Sequence, residues 1–215
     1  MSDPFAHLIP DARAFLADLA KTNTRDWFND NKQRFETELK TPATLLLDQI
    51  AYDLKTNPGW QVTPKLFRPH RDVRFSKDKT PYHTHLHMLW TITGPGLQTG
   101  LFFGIAPDYV KAGGGIMAFD KEALTRWRAA IDGPTGDIIA KTCADLADHG
   151  LTPDQPDLKR VPAPYDKTHR HGDFLRRKSM TVWADLPKAK WPAPTKELPI
   201  VFRRLQPLLE QLQAI

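Results

Sequence analysis

The 215-residue sequence has a single cysteine, Cys143, so no disulfide can form within the chain and a reducing compartment is expected. It has no apolar run approaching the roughly 18 residues a membrane-spanning helix needs. The opening residues Met1-Ser2-Asp3-Pro4-Phe5-Ala6 carry neither a basic start nor an apolar stretch, which argues against a secretory signal. These absences predict a soluble, cytoplasmic protein that does not enter a membrane. Catalytic signatures are missing as well. There is no Gly-x-Ser-x-Gly elbow and no His-Glu-x-x-His helix. The one glycine run, Gly113-Gly114-Gly115, lies in strand-like sequence with no Lys-Ser/Thr after it, so it is not a phosphate-binding loop. No internal repeat or low-complexity linker divides the chain.

Enough apolar sequence remains for a packed core: 40% of residues, with 11 Phe and 6 Trp. The formal charge of +5 is unevenly placed. Residues 66–83 hold five Lys or Arg against two Asp, and residues 159–178 hold seven against two, so the rest of the chain is net acidic. Focused positive charge favours an anionic partner. Generic basic runs are usually solvated loops, but here aspartates and aromatics are set among the arginines.

Hydrophobic spacing predicts a helical N-terminal layer over about 10–57. Its first helix carries Ala14, Phe15, Leu16 and Leu19. Thr24 is the expected N-cap of a second, whose stripe is Trp27, Phe28, Asn31, Phe35 and Leu39. Pro42 marks a joint before a third helix with Leu45, Leu46, Leu47, Ile50 and Leu54, stopped at Asn57-Pro58-Gly59. A sheet core is expected over about 62–119. Within it, His85 to Thr93 alternates cleanly and Gly94-Pro95-Gly96 turns into a strand from Thr99 to Ala106. A further strand runs from Tyr109 to Phe119, and its glycines predict a bulge or the close approach of another group. Helices follow over about 120–149, one with Leu124, Trp127 and Ile131 inward, the next with Ile138, Ile139, Cys143 and Leu146. A proline-rich irregular stretch over 151–169, a strand from Lys178 to Leu186 and a last helix from Lys196 to Leu212 complete the chain. Pro207 predicts a kink or a break in that helix. Together these give one α+β domain over 1–215: an antiparallel sheet covered by helices on one face and at the ends.

The densest chemistry lies in Arg68-Pro69-His70-Arg71-Asp72-Val73-Arg74-Phe75-Ser76-Lys77-Asp78-Lys79-Thr80-Pro81-Tyr82-His83. The bracketing prolines disfavour a helix, and an extended segment would put Val73 and Phe75 on one side. Guanidinium groups grip phosphate or carboxylate in a bidentate fork, which makes Arg68, Arg71 and Arg74 candidate anion ligands, with Lys77 and Lys79 adding charge. Asp72 is a candidate base or arginine holder, and Tyr82 a candidate hydrogen-bond donor. The competing reading is an Arg–Asp lattice that only ties the structure together. Lys159, Arg160, Tyr165 and His169 lie in a proline-stiffened loop that would close over this segment as a flank. His83, His85 and His87 share one face of a strand, and His169 and His171 repeat the spacing. With no nearby cysteine, no His-Glu-x-x-His helix and no carboxylate-rich loop, no metal is assigned. Cys143, on an apolar stripe, reads as inert core.

The run from Arg71 to Tyr82 resembles the signature of the domain-of-unknown-function family 2461. The similarity extends to Arg25-Asp26-Trp27-Phe28, Asn31-Lys32, the Gly113–Gly115 region, Leu158 to Pro162 with Tyr165, and His169. It covers nearly the whole chain in order. The resemblance implies a single conserved domain and supplies no activity, substrate or cofactor. Two positions depart from it: His83 stands where a lysine commonly follows the Pro-Tyr pair, and Ala163-Pro164 where Lys-Gly often follows Arg-Val-Pro.

The functional expectation is a phosphorylated or carboxylated small molecule held in an Arg/Lys/Asp-lined pocket. The alternative is an interaction module presenting a basic surface to nucleic acid or an acidic protein. No cofactor or reaction is assigned.

Overall fold

The computed structural model describes residues 3–57, 59–94 and 96–215; Pro58 and Pro95, in two of the expected turns, lie outside the described residues. Six strands form one antiparallel sheet: β1 (Gln61–Leu66), β2 (Leu86–Thr93), β3 (Thr99–Ile105), β4 (Val110–Ile116), β5 (Thr152–Pro153) and β6 (Met180–Asp185), in the spatial order β1-β2-β3-β4-β6-β5. The alternation of β2 sets the faces. Leu86, Met88, Trp90 and Ile92 are buried under helices, and the Trp90 indole donates to the Leu47 carbonyl at 2.9 Å. The intervening His87, Leu89 and Thr91 keep solvent contact on the opposite face.

The helices are α1 (Leu8–Lys21), α2 (Arg25–Asp30), α3 (Lys32–Arg34), α4 (Thr41–Leu54), α5 (Lys121–Asp132), α6 (Pro134–Ala147), α7 (Gly172–Leu175) and α8 (Pro194–Gln213). Thr24 caps α2 as expected, accepting from the Trp27 amide at 3.3 Å. Pro42 stands in the first turn of α4, as expected, but the chain does not leave the helical conformation there. A π-helical segment, Phe35–Lys40, precedes it, and the Thr41 amide reaches back five residues to Glu36. The wider register is how a helix passes a proline that removes one donor. Nor does α8 break at Pro207: it runs on for 20 residues through Pro199 and Pro207. Val201, Phe202, Leu205, Leu208, Leu209 and Leu212 are buried along one side, and that packing outweighs the missing backbone bonds. Leu45 and Ile138, expected inward, are instead 57% and 53% exposed, because each sits beside rather than on its helix's buried stripe. The short strand β5 and helix α7 fall in or next to sequence expected to be irregular.

Gly113, Gly114 and Gly115 are explained by close approach. A Cβ on Gly113 would lie 2.5 Å from the Trp183 ring, and one on Gly114 3.3 Å from Leu205 of α8. Gly115 has φ +131, and a Cβ there would lie 1.9 Å from the Met180 carbonyl oxygen. One continuous set of buried side chains, from Phe5 to Leu212, joins the helices to the sheet.

Candidate functional site

Strand directions place the two basic windows. The Arg68–His83 segment leaves the end of β1, an edge strand, and returns at the start of β2. Residues 159–178 lead into the start of β6 beside the other edge. Because β1 and β6 begin at the same end of the sheet, the exit from β1 and the entry to β6 are at opposite ends. Five strand spacings of about 4.8 Å separate the edges as well. The windows therefore occupy diagonal corners. The expectation that 159–178 closes over the first segment is corrected by the topology: a strand order that inserts β2, β3, β4 and β6 between them keeps them apart.

The first segment is a self-paired loop rather than an extended strand. Only its base pairs as a ladder: His70 bridges Tyr82, Arg71 donates its amide to the Pro81 carbonyl at 2.8 Å, and His83 to that of Pro69 at 2.7 Å. Above the base, Arg71 donates to Asp78 at 2.5 Å and also to Thr80. Arg74 grips Asp72 with two nitrogens, at 3.0 and 2.7 Å. Lys79 donates to the Val73 carbonyl at 3.0 Å. Hydrogen bonds from Arg74 lower the Asp72 pKa and those from Thr80 lower that of Asp78, which makes both poor bases. The candidate anion ligands Arg71 and Arg74 are both occupied; among the described residues Arg68 and Lys77 have no carboxylate within ion-pair distance. Tyr82 is not a donor aimed at a ligand. It is 5% exposed, its ring stacks on Phe28 at 4.0 Å, and Asn23 holds its backbone from both sides at 2.9 and 3.1 Å. The pairing lifts Phe75 to 96% exposure at the tip.

The second window encloses a cavity of about 810 Å³ lined by Lys159, Arg160, Lys167, His169, Arg170, His171, Phe174, Arg176 and Arg177, among others. Arg170 pairs with Asp137 at 2.8 Å, and Arg176 pairs with Asp173. Lys159, Arg160 and Lys167 have no carboxylate partner among the described residues. Arg177 is 6% exposed, donates to the Asp154 carbonyl at 2.6 Å and leaves its Nε without a partner; burial lowers its pKa. An unpartnered buried donor is costly, so a site that completes it with an acceptor gains more than an exposed one would.

Two imidazoles stand on the same rim. His169 accepts the His171 amide at Nδ1 (3.0 Å), which puts its proton on Nε2, facing Asp132 at 3.3 Å. His171 Nε2 lies 2.9 Å from Asp137. Asp132, Asp137 and Arg177 were not singled out in the sequence, and His171 only as half of a repeated His-x-His spacing. The carboxylates sit on α5 and α6, dozens of residues before their partners. Tyr165, expected to contact a ligand, is half-buried against the core.

His83, His85 and His87 form a column on the uncovered face of the sheet. Their ring centroids are 4.7 and 3.6 Å apart, and the last pair is stacked at 13°. Burial pushes His85 down to about 4 and His87 down to about 3, and also lowers His83, so all three are neutral near pH 7. Stacked rings aim their nitrogens along near-parallel planes, not at one point. Among the described residues no group of three or more His, Cys, Asp or Glu has the arrangement of a metal site. Cys143 is buried and pushed up to about 11, consistent with a core thiol.

Sheet, helical layer and corner cavity together define an α+β protein with a basic pocket at one sheet corner. No helix among the described residues is long and apolar enough to cross a membrane. A family model described as conserved hypothetical protein (DUF2461) matches residues 11–210, so the chain belongs to that family. A search of curated proteins finds no match.

Proposed function

We propose that the protein binds a phosphorylated or carboxylated small molecule in the cavity formed by residues 159–177, in the reducing cytoplasm. The observation that carries this reading is the convergence of Lys159, Arg160 and Lys167, none neutralised by a carboxylate, on a cavity whose wall includes the under-satisfied, buried Arg177. Phosphate and carboxylate supply several acceptor lone pairs in a compact volume, which suits forked guanidinium donors. Phe174, Val161 and Pro153 on the same wall favour a ligand with an apolar part beside the anion. His169 and His171, held by Asp132 and Asp137, would shape the rim beside that ligand. The unpaired Cys143 supports the compartment.

The test is a thermal-shift titration with inorganic phosphate, sugar phosphates, nucleotides and carboxylates. A selective ligand at about 100 times its Kd stabilises the fold by about 2.7 kcal/mol. Lys159→Ala/Arg160→Ala abolishes the shift, and Arg74→Ala, at the opposite corner, leaves it intact. An equal shift in the double variant, or no shift with any member of the set, refutes the reading.

A further inference from the structure

We propose that the uncovered face of the sheet binds single-stranded nucleic acid, with bases stacked on its partly exposed rings. This surface is separate from the basic cavity and uses residues that the cavity does not.

Side-chain rings cross this face in one unbroken path. It starts at His83, beside the Arg68–Tyr82 loop, and passes through His85 and His87 to Phe102 (4.9 Å) and then Trp183 (5.1 Å). Phe67 and Tyr109 flank His87 at 6.3 and 6.2 Å. None of these rings is fully buried. Glycines beneath them bring the rings down onto the backbone: Trp183 over Gly113, and Phe102, His87 and Tyr109 over Gly104. At the far end the path opens into a cavity of about 310 Å³ between Leu89, Phe102, Trp183 and Gly115. A cavity of that size accepts a flat heterocycle.

Cations stand at the margins rather than across the middle. Lys65 lies 4.8 Å from the Phe67 ring on β1, Lys111 6.0 Å from the Tyr109 ring on β4, and Arg68 close to His83. Of the acids nearby, Asp185 lies 3.9 Å from Lys111 and Asp154 accepts from the Trp183 indole at 2.7 Å and from Thr181 at 3.2 Å, while Asp108, beside Tyr109, stands exposed at the margin. Rings for bases with cations at their edges for phosphates is the arrangement that single strands need. A duplex hides its base faces and could use only the cations. A protein partner would want a broad apolar core, whereas these rings form a narrow path bordered by Thr63, Thr91 and Thr93.

The experiment is fluorescence anisotropy with a labelled 12-nucleotide single strand, in DNA and RNA forms, and the matching duplex. Expected are saturable binding of the single strand, weaker binding of the duplex, and a log–log salt slope of about −0.7 per phosphate contacted. Trp183→Ala weakens binding about five- to hundredfold, the loss of one stacked base. Lys65→Glu/Lys111→Glu, at exposed positions that leave folding intact, weakens binding and flattens the salt slope. If Trp183→Ala fails to fold, His85→Ala carries the same expectation, because its ring makes no side-chain hydrogen bond among the described residues. No saturable binding, equal affinity for the duplex, or a loss with Lys159→Ala/Arg160→Ala but not with the sheet-face variants overturns the proposal.

Discussion

Lowering the pH from 8 to 5 should destabilise the fold through His85 and His87. At pH 8 both imidazoles are neutral in the folded and the unfolded chain. At pH 5 an unfolded imidazole, with its ordinary pKa near 6.5, is almost fully protonated. The folded rings stay neutral, because burial holds His85 at about 4 and His87 at about 3. The unfolded chain then binds more protons, so stability is present above about pH 6.5 and is lost as pH falls. Full retention of neutrality would cost about 2 kcal/mol per ring at pH 5. Both rings keep solvent contact, so roughly half of that is expected, about 2 kcal/mol for the pair. Acids do not confuse this window. Hydrogen bonds from Arg34, Arg74, Thr80 and Thr168 hold Asp18, Asp72, Asp78 and Asp166 below their ordinary values, so their contributions are lost only below about pH 4. The assay is urea unfolding at pH 8, 7, 6 and 5 for the wild type and for His85→Phe/His87→Phe, which keeps two rings without a titrating group. A flat wild-type profile, or the same slope in the double variant, would refute the reasoning.

Three further perturbations test the architecture of the site. Tyr82→Ala should cost about 3 kcal/mol by removing a buried stacked ring, while Tyr82→Phe should be nearly neutral; a large loss with Phe, measured by denaturant midpoint, would return Tyr82 to a hydrogen-bonding role. Arg71→Ala should hardly move the melting temperature but should speed tryptic cleavage after Lys77 and Lys79, because the loop loses its contact with Asp78 and Thr80. Gly115→Ala should cost about 3 kcal/mol, combining a left-handed backbone with a collision at the Met180 carbonyl; soluble yield and unfolding midpoint report it.

The sheet was legible because its side chains alternate. Leu86, Met88, Trp90 and Ile92 at every second position announce both the strand and its buried face, and short turns then dictate antiparallel neighbours. Helix ends were legible where a cap spoke, as at Thr24. Pro207 misled as a breakpoint, since local rules count one lost bond and cannot see the packing that outweighs it. The site was half legible. Charge density located both windows, but density does not say which charge faces which. Asp72 and Asp78 lie two and seven residues from the arginines they hold, close enough to suspect. Asp137 lies more than thirty residues from Arg170 and His171, and no local pattern connects them.

The pairing inside the first loop changes what its charge can mean. A ligand taking Arg74 must displace a bidentate aspartate, and one taking Arg71 must displace Asp78 and the Thr80 carbonyl as well. Each displacement returns a carboxylate to water and forfeits the order of the loop. In the 159–177 cavity Lys159, Arg160 and Lys167 need displace no carboxylate, and Arg177 Nε has a vacancy to fill. That contrast is the reason the anion is proposed for the second corner, although the first has the denser sequence pattern. The first loop's ions are spent on shape: they hold Phe75 in solvent and Arg68 beside the histidine column. That distinction separates two variants of equal charge. Arg74→Gln should loosen the loop and weaken oligonucleotide binding modestly without touching phosphate binding. Arg160→Gln should weaken phosphate binding and leave the loop's resistance to trypsin unchanged. A crossed result, with phosphate lost in Arg74→Gln, would mean that the loop's ion pairs open to admit a ligand.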